Sequence, residues 1–273
     1  MGLLRTLCIL TTMLYAQLAY SDYLFLNTPE SVRKPGYHVF STLEKDKSTR
    51  IFFHYCNKTH AGMYFIAIVD MYDAKFGYAV DYDPGVAGAK AVNGFNNSIQ
   101  TALKDIKIYL PKGDTLSGII EGKSRKTDWV NYFNYIDPKV VGYGLNITSV
   151  NGFAINDPIV THVFNMDTKK VYFEFGNEKM NLFNGSYGIT HRFDIHNVSD
   201  KSKKYIIKLS PRGGNLIFAY KTVSQNVLTP ILLARRWYDL ETITLKPGEN
   251  WWLEDIITGG FNYPVAIAVV PVL

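Results

Sequence analysis

The chain has 273 residues, is 47% apolar and 14% aromatic, and carries a formal net charge of +5. That composition excludes an intrinsically disordered chain, and its length can bury one sizeable core or two smaller ones. Lysines and acids are interspersed; the densest basic run, "KSRKTDW" (Lys123 to Trp129), reads as a solvated loop, with contact to an anionic polymer as its functional alternative.

The first residues set an expected compartment. Met1 to Arg5 bring one positive charge, Thr6 to Leu18 are mostly apolar, and Ala19, Tyr20 and Ser21 offer a small-residue cleavage site. This is the order of a secretory signal peptide over residues 1–21. Its apolar core is shorter than the ~20 residues of a membrane span. No second long apolar run follows, so the expected product is secreted, soluble or peripherally attached, without a transmembrane span and without a nucleic-acid partner. Of the two cysteines, Cys8 leaves with the leader, and Cys56 alone cannot form an internal disulfide.

Residues 22–43 read as an extended leader, with Pro29, Pro35 and Gly36 suited to a sheet edge. Strand signals then dominate: "TRIFFHY", "MYFIAIVDM", "FGYAVDY", "IKIYLP", "KKVYFEF", "HRFDIHN", "KYIIKLS", "LIFAY", "ETITLKPG", "WWLEDI" and "YPVAIAVV". They are rich in β-branched and aromatic residues and bounded by turn formers. The best helical stretch, "NSIQTALKDIKIYL", dissolves into alternation at Ile106, Ile108 and Leu110.

An internal repeat organises these strands. A shift of 140 residues lays Phe52–Val69 over Arg192–Leu209, matching Phe53 with Phe193, Asn57 with Asn197, Thr59 with Ser199, and Phe65 with Tyr205. The same shift puts Phe76–Val80 on Leu216–Tyr220, and after a five-residue loss Ile108–Asp114 overlies Ile243–Glu249. In both copies a strand enters an Asn-x-Thr/Ser turn, where short side chains bond nearby backbone, and a second strand returns. The expected fold is all-β: two tandem Ig-like or jelly-roll-type β-sandwiches at 44–136 and 184–273, bridged by a β-rich segment at 137–183.

The stretch "FFHYCNKT" gathers His54, Cys56 and, just beyond, His60. Such a trio suits a soft metal. However, the second copy has Asp194 and His196 in the matching places, so the expected reading is a strand end holding a buried, inert cysteine. Five N-x-S/T triplets, at Asn57, Asn96, Asn146, Asn184 and Asn197, are glycosylation candidates if the secretory route adds glycans and turn residues otherwise.

Recognisable catalytic motifs are missing: there is no G-x-S-x-G, H-E-x-x-H, phosphate loop or dinucleotide glycine fingerprint. The acidic run holding Asp70, Asp73, Asp81 and Asp83 offers oxygens for calcium and carboxylates for a hydrolase, but next to Pro and Gly these are turn formers first. No other cofactor is expected. "TDWVNYFNY" and "RRWYDL" supply the ligand-binding candidates Trp129, Tyr132, Trp237 and Tyr238, whose alternative is a place in the core.

"LNTPESVRKPG" followed by "TRIFFHYCNKT" resembles the start of uncharacterised secreted bacterial cell-envelope proteins, here with duplicated β-sandwich modules. The resemblance covers Asn27 to about Val69, with a turn at Lys112–Gly113, and implies a bacterial surface protein without known catalytic residues. The leading expectation is a non-catalytic structural or adhesive protein that self-associates or binds another surface protein, with filaments built by strand addition from Asp22–Phe40 or the tail "YPVAIAVVPVL". The alternatives are a carbohydrate-binding module protein, with polysaccharide as partner, and an unrecognised extracellular hydrolase.

Overall fold

The computed structural model describes residues 22–26, 31–33, 36–39, 45–125, 133–136, 154–155, 159–176, 179–180, 183–184, 189–256 and 264–272. Within them the protein is all-β with one helix. In chain order the first elements are β1 (Asp22–Leu26), β2 (Ser31–Val32), β3 (Gly36–Val39), β4 (Ser48–Asn57), β5 (Met63–Asp81), α1 (Pro84–Asn97), β6 (Thr101–Leu110), β7 (Thr115–Ser124), β8 (Phe133–Ile136) and β9 (Ala154–Ile155). There follow β10 (Ile159–Met166), β11 (Val171–Phe175), the short pair β12 (Lys179–Met180) and β13 (Phe183–Asn184), and β14 (Thr190–Asn197). The chain ends with β15 (Lys203–Pro211), β16 (Ala219–Thr222), β17 (Asn226–Leu228), β18 (Tyr238–Leu245), β19 (Asn250–Ile256) and β20 (Val265–Pro271).

The duplication is visible in the pairing itself. β4 runs antiparallel to β7 and parallel to β1 and β2; β14 runs antiparallel to β19 and parallel to β10. β5 pairs with β6 and β8 as β15 pairs with β18 and β20, and β3 joins β8 as β11 joins β20. The second part of β5 pairs with β7 as β16 pairs with β19. Of residues 137–183, β9 pairs with β1, while β10 and β11 are built into the second group of sheets.

The copies differ where one layer passes to the next. In the first, β5 continues for 19 residues, bending through irregularities at Ala67–Asp70 and Met71–Ala74, so nine strands form one folded sheet. Asp73 sits there at φ 48, the left-handed region that a non-glycine residue enters rarely. In the second, β15 ends at Pro211, which has no N–H to offer a ladder, and Gly213 and Gly214 follow. The result is two separate sheets, β10-β14-β19-β16-β17 and β11-β20-β15-β18. This break shifts the expected register: Phe76 pairs with Ile120 and Tyr220 with Asp255, so Tyr220 corresponds to Phe76 rather than to Val80.

Both Asn-x-Thr/Ser turns are stitched alike. Asn57 donates from Nδ2 to the carbonyls of Ala61 (2.9 Å) and Leu110 (3.1 Å), and its Oδ1 accepts from Thr59 N (3.0 Å) and Thr59 Oγ1 (2.7 Å). Asn197 repeats this with Lys201 O (2.8 Å), Leu245 O (2.9 Å), Ser199 N (3.1 Å) and Ser199 Oγ (2.7 Å). Gly113 (φ 89) and Gly248 (φ 74) turn the partner loop in the left-handed conformation that glycine adopts freely. Each donates its N–H to the asparagine's own carbonyl at 2.9 Å.

The first core packs Phe53, Tyr55, Phe65, Leu110 and Leu116 between its layers; the second packs Phe175, Phe193, Tyr205, Phe218 and Leu253. A third apolar cluster joins the groups, with Phe52, Ile119, Val92 and Phe95 meeting Ile189, Ala219 and Ile256. Arg50, 5% exposed, crosses the same contact: it is ion-paired to Glu121 (2.6 Å) and donates to Thr190 Oγ1 (2.6 Å).

Two expectations change. The helix lies not at Asn97–Leu110, most of which is β6, but upstream, where Asp83 caps Gly85 N (2.8 Å) and Val86 N (3.2 Å) and Pro84 opens the first turn. Its small buried face lets it lie directly on β5, and a Cβ at Gly77 would fall on the backbone of Ala91 and Phe95. The expected strand donors are also already placed within this chain. β1 is held by β4 and β9, and β20 lies between β11 and β15 with Val265, Ile267 and Val269 fully buried.

Candidate binding site

Among the described residues, the outer face of the sheet β11-β20-β15-β18 carries an exposed grouping of aromatic and charged side chains. On β11, Phe173 and Phe175 belong to the core, so period-two alternation turns Tyr172 and Glu174 outward. Register then lines up Tyr172, Ala268, Lys208 and Asp239 in one row, and Glu174, Ala266 and Ser210 in the next. The two alanines make a low floor. Above it, Tyr172 (50% exposed) and Trp237 (41% exposed) meet edge to face, with ring centroids 6.0 Å apart at 70°.

Arg212 joins the two rings. Its Cζ lies 5.1 Å from the Trp237 centroid and 5.8 Å from that of Tyr172, within cation–π range. Backbone bonds from Arg212 N (2.9 Å) and Gly213 N (3.2 Å) to Pro264 O fix the turn that presents it. Its Nε lies 3.8 Å from Glu174 Oε1, an ion-pair distance but not a hydrogen bond. The Tyr172 hydroxyl donates to Glu174, and that bond to a carboxylate raises the phenol above its usual range. Lys208 and Asp239 pair alongside at 2.7 Å. Two polar atoms of this region, Ser210 Oγ and Arg212 Nε, are buried and have no hydrogen-bond partner among the described residues. Two crossed aromatic faces, a forked cation and a carboxylate are the groups that hold a polyhydroxylated ring: apolar C–H faces on the rings, hydroxyls on Arg212 and Glu174.

Of the expected ligand residues, Trp237 belongs to this grouping. Tyr238 points the other way: it packs against the second core, and its hydroxyl accepts from Leu233 N at 2.8 Å. Trp129 and Tyr132 lie outside the described residues. Tyr172, Glu174, Ser210 and Arg212 were not singled out from sequence, although the alternation in "KKVYFEF" marks Tyr172 and Glu174 as outward.

The four aspartates are dispersed. Asp70 pairs with Arg125 (3.3 Å), Asp73 with Lys123 (3.5 Å) and Asp81 with Lys90 (2.8 Å), which lowers the Asp81 pKa, while Asp83 caps α1. Among the described residues no three His, Cys, Asp or Glu side chains are grouped to hold a metal. β4 runs through "FFHYC" and ends at Asn57. There His54 is fully buried and hydrogen-bonds Ser117 Oγ through Nδ1, Cys56 is buried with its thiol 3.8 Å from Gly113 O, and His60 is exposed. Burial lowers the His54 pKa to about 4.

The N-x-S/T asparagines fall into different environments. Asn57 and Asn197 are fully buried with both amide functions engaged in their turns, so the folded state withholds them from a glycan. Asn96 is half-buried at the end of α1, where its carbonyl accepts from Asn226 Nδ2 at 3.2 Å. Asn184 lies in β13, and Asn146 falls outside the described residues.

No protein-family model matches the chain, and no curated protein is similar to it. Among solved structures the chain is similar to Lac15 from a marine microbial metagenome, at 9% identity and a TM-score of 0.19, over 82% of this chain and 53% of that one. It is similar to the McoA multicopper oxidase of Aquifex aeolicus at 10% identity and 0.18, over 80% and 50%. The CUB1-EGF-CUB2 domains of rat MASP-1 align at 6% identity and 0.21, over 88% and 99%. The chain spans about half the length of the first two. At these TM-scores the likenesses carry no argument about fold or activity.

Proposed function

We propose that this chain is a non-catalytic, secreted adhesive protein that binds carbohydrate on the outer face of β11-β20-β15-β18. The observation that carries this reading is the exposed grouping of Tyr172, Trp237, Arg212 and Glu174 beside Ala266 and Ala268, with Ser210 Oγ and Arg212 Nε buried and lacking hydrogen-bond partners among the described residues. Exposed rings cost the free protein apolar contact with water and gain it back against a sugar face. The roles are separable. Trp237 and Tyr172 supply stacking, Arg212 donates to ring or hydroxyl oxygens, and Glu174 accepts from hydroxyls. Strand donation is the weaker way to reach adhesion, because β1 and β20 are both paired within the chain.

The test is a glycan array followed by titration calorimetry on residues 22–273, with Trp237→Ala and Tyr172→Ala as variants. Each ring removed should weaken binding roughly tenfold, since a buried contact worth about 1.4 kcal/mol is one decade in affinity. Thermal unfolding should move little, because both rings are surface residues. An array without ligands, or variants that bind as the parent does, would overturn the reading.

A further inference from the structure

The segment between β16 and β18 has no part in the proposed sugar site except at Trp237, and it sets several exposed apolar side chains beside two exposed arginines. Leu228 (39% exposed), Ile231 (60%) and Leu233 (42%) stand out toward solvent, followed at once by exposed Arg235 and Arg236. The backbone beneath them is not slack. Leu216 and Leu232 exchange backbone bonds of 2.9 and 2.7 Å, and Thr229 N donates to Phe218 O at 3.0 Å. Ala234 N donates to Asn215 Oδ1 (3.0 Å) and Arg235 N to Pro211 O (2.6 Å). Leu232 alone among these apolar residues turns inward, into the second core. Arg235 holds φ 61, a strained conformation for a residue with a side chain, kept here by the surrounding bonds. A loop fixed this firmly presents its apolar side chains; it does not merely fail to bury them.

The charges choose the occupant. No carboxylate occurs between Gln225 and Trp237, and neither Arg235 nor Arg236 takes part in an ion pair among the described residues. The carboxylates just after the loop are engaged, Asp239 by Lys208 and Glu241 by Tyr220. A second copy of the chain meeting this loop symmetrically would bring four arginines together without a counter-charge. We infer that the loop Leu228–Arg236 is a docking surface for an anionic phospholipid membrane: Leu228, Ile231 and Leu233 enter the headgroup–acyl boundary while Arg235 and Arg236 pair with lipid phosphates.

The test is co-sedimentation of residues 22–273 with vesicles of pure phosphatidylcholine or of phosphatidylcholine mixed with anionic phosphatidylglycerol. The expected result is binding to the anionic vesicles, weakened by salt. Arg235→Gln with Arg236→Gln should lower affinity roughly fivefold per arginine removed. Ile231→Ser with Leu233→Ser should abolish sedimentation while both double variants keep the parent's unfolding temperature. Tyr172, Arg212 and Trp237 stay unchanged in these variants, so glycan binding reports separately on the sugar site. No binding to anionic vesicles, equal binding to both vesicle types, or variants that sediment as the parent does would overturn the inference. So would concentration-dependent dimerisation lost in Ile231→Ser with Leu233→Ser, which would assign the loop to a second copy.

Discussion

Replacing Asn197 by alanine tests whether the paired Asn turns hold each copy together. The side chain makes five hydrogen bonds: to the carbonyls of Lys201 and Leu245, and from Ser199 N, Ser199 Oγ and, at 3.1 Å, the Tyr205 hydroxyl. Water can replace those at Ser199 and Lys201, which lie at the surface of the turn. It cannot readily reach the Leu245 carbonyl, whereas the buried Tyr205 hydroxyl keeps Met166 O as an acceptor at 3.4 Å. One buried carbonyl left unpaired costs about 1–3 kcal/mol, and the weakened Tyr205 bond and the exposed bonds add about 1 kcal/mol, so the loss should be about 2–4 kcal/mol. For a chain of this size that is a fall of about 10 °C in unfolding temperature, from roughly 2–4 °C per kcal/mol. Urea unfolding of three variants separates the contributions. Ser199→Ala should cost about 1 kcal/mol, because the hydroxyl has a single proton to share between Asn197 Oδ1 (2.7 Å) and Lys201 O (2.8 Å) at the surface of the turn. Asn197→Asp should be at least as harmful as Asn197→Ala, since it keeps the acceptor but turns a carboxylate toward two carbonyls. A loss below about 1 kcal/mol for Asn197→Ala, the net worth of a single ordinary hydrogen bond, would refute the reasoning.

Two buried titratable groups give pH dependences of opposite sign. His54 has a folded pKa of about 4 against 6.5 in the unfolded chain, so the unfolded state takes up its proton first. The stability it contributes is complete above pH 6.5 and lost as pH falls through about 4, a change of about 3 kcal/mol; His54→Gln should flatten that limb, and an unchanged acid limb would count against it. Asp255 is fully enclosed, and burial raises its carboxyl well above 3.8. Its contribution is present below 3.8 and lost as pH rises through the folded pKa, so Asp255→Asn should stabilise the protein at pH 7 and lose that advantage below pH 4. Equal stability of parent and variant at pH 7 would place the carboxylate in contact with water.

Strand content and the repeat were legible because their signals are local. Alternation at Phe65, Ala67 and Val69 and the Asn57 and Asn197 turns depend on residues a few positions apart, and the structure uses them as such. α1 was not legible: its buried face is mostly Gly85, Ala87, Gly88, Ala89 and Ala91, with only Val92 and Phe95 large enough to mark an apolar stripe, and two of these residues are poor helix formers. Proximity to β5 at Gly77 requires those small residues, so tertiary packing overrides propensity here. The four-residue register difference between Phe76 and Tyr220 was hidden because it depends on whether a strand bends or breaks. The site was half legible. Trp237 stood out as an aromatic in a polar setting, but Tyr172 is distant in sequence and reaches it only because β20 and β15 lie between their strands.

The comparison of the copies indicates why the second one carries the exposed chemistry. Between β5 and β6 the first copy inserts α1; between the corresponding β16 and β18 the second inserts β17 and the loop ending at Trp237. The two insertions occupy the same place in the repeat and meet each other: Asn226 Nδ2 donates to Asn97 Oδ1 at 2.9 Å and to Asn96 O at 3.2 Å. α1 spends its apolar face inward, where Val92 and Phe95 join the cluster between the copies. The second insertion buries Leu232 in its own core, and Leu228, Ile231, Leu233 and Trp237 face solvent. A connection between conserved pairings can change without disturbing either ladder, which is why binding residues collect on such loops. The two copies thus carry equivalent insertions, one packed between the copies and the other with apolar side chains exposed, the surface on which the proposed docking rests.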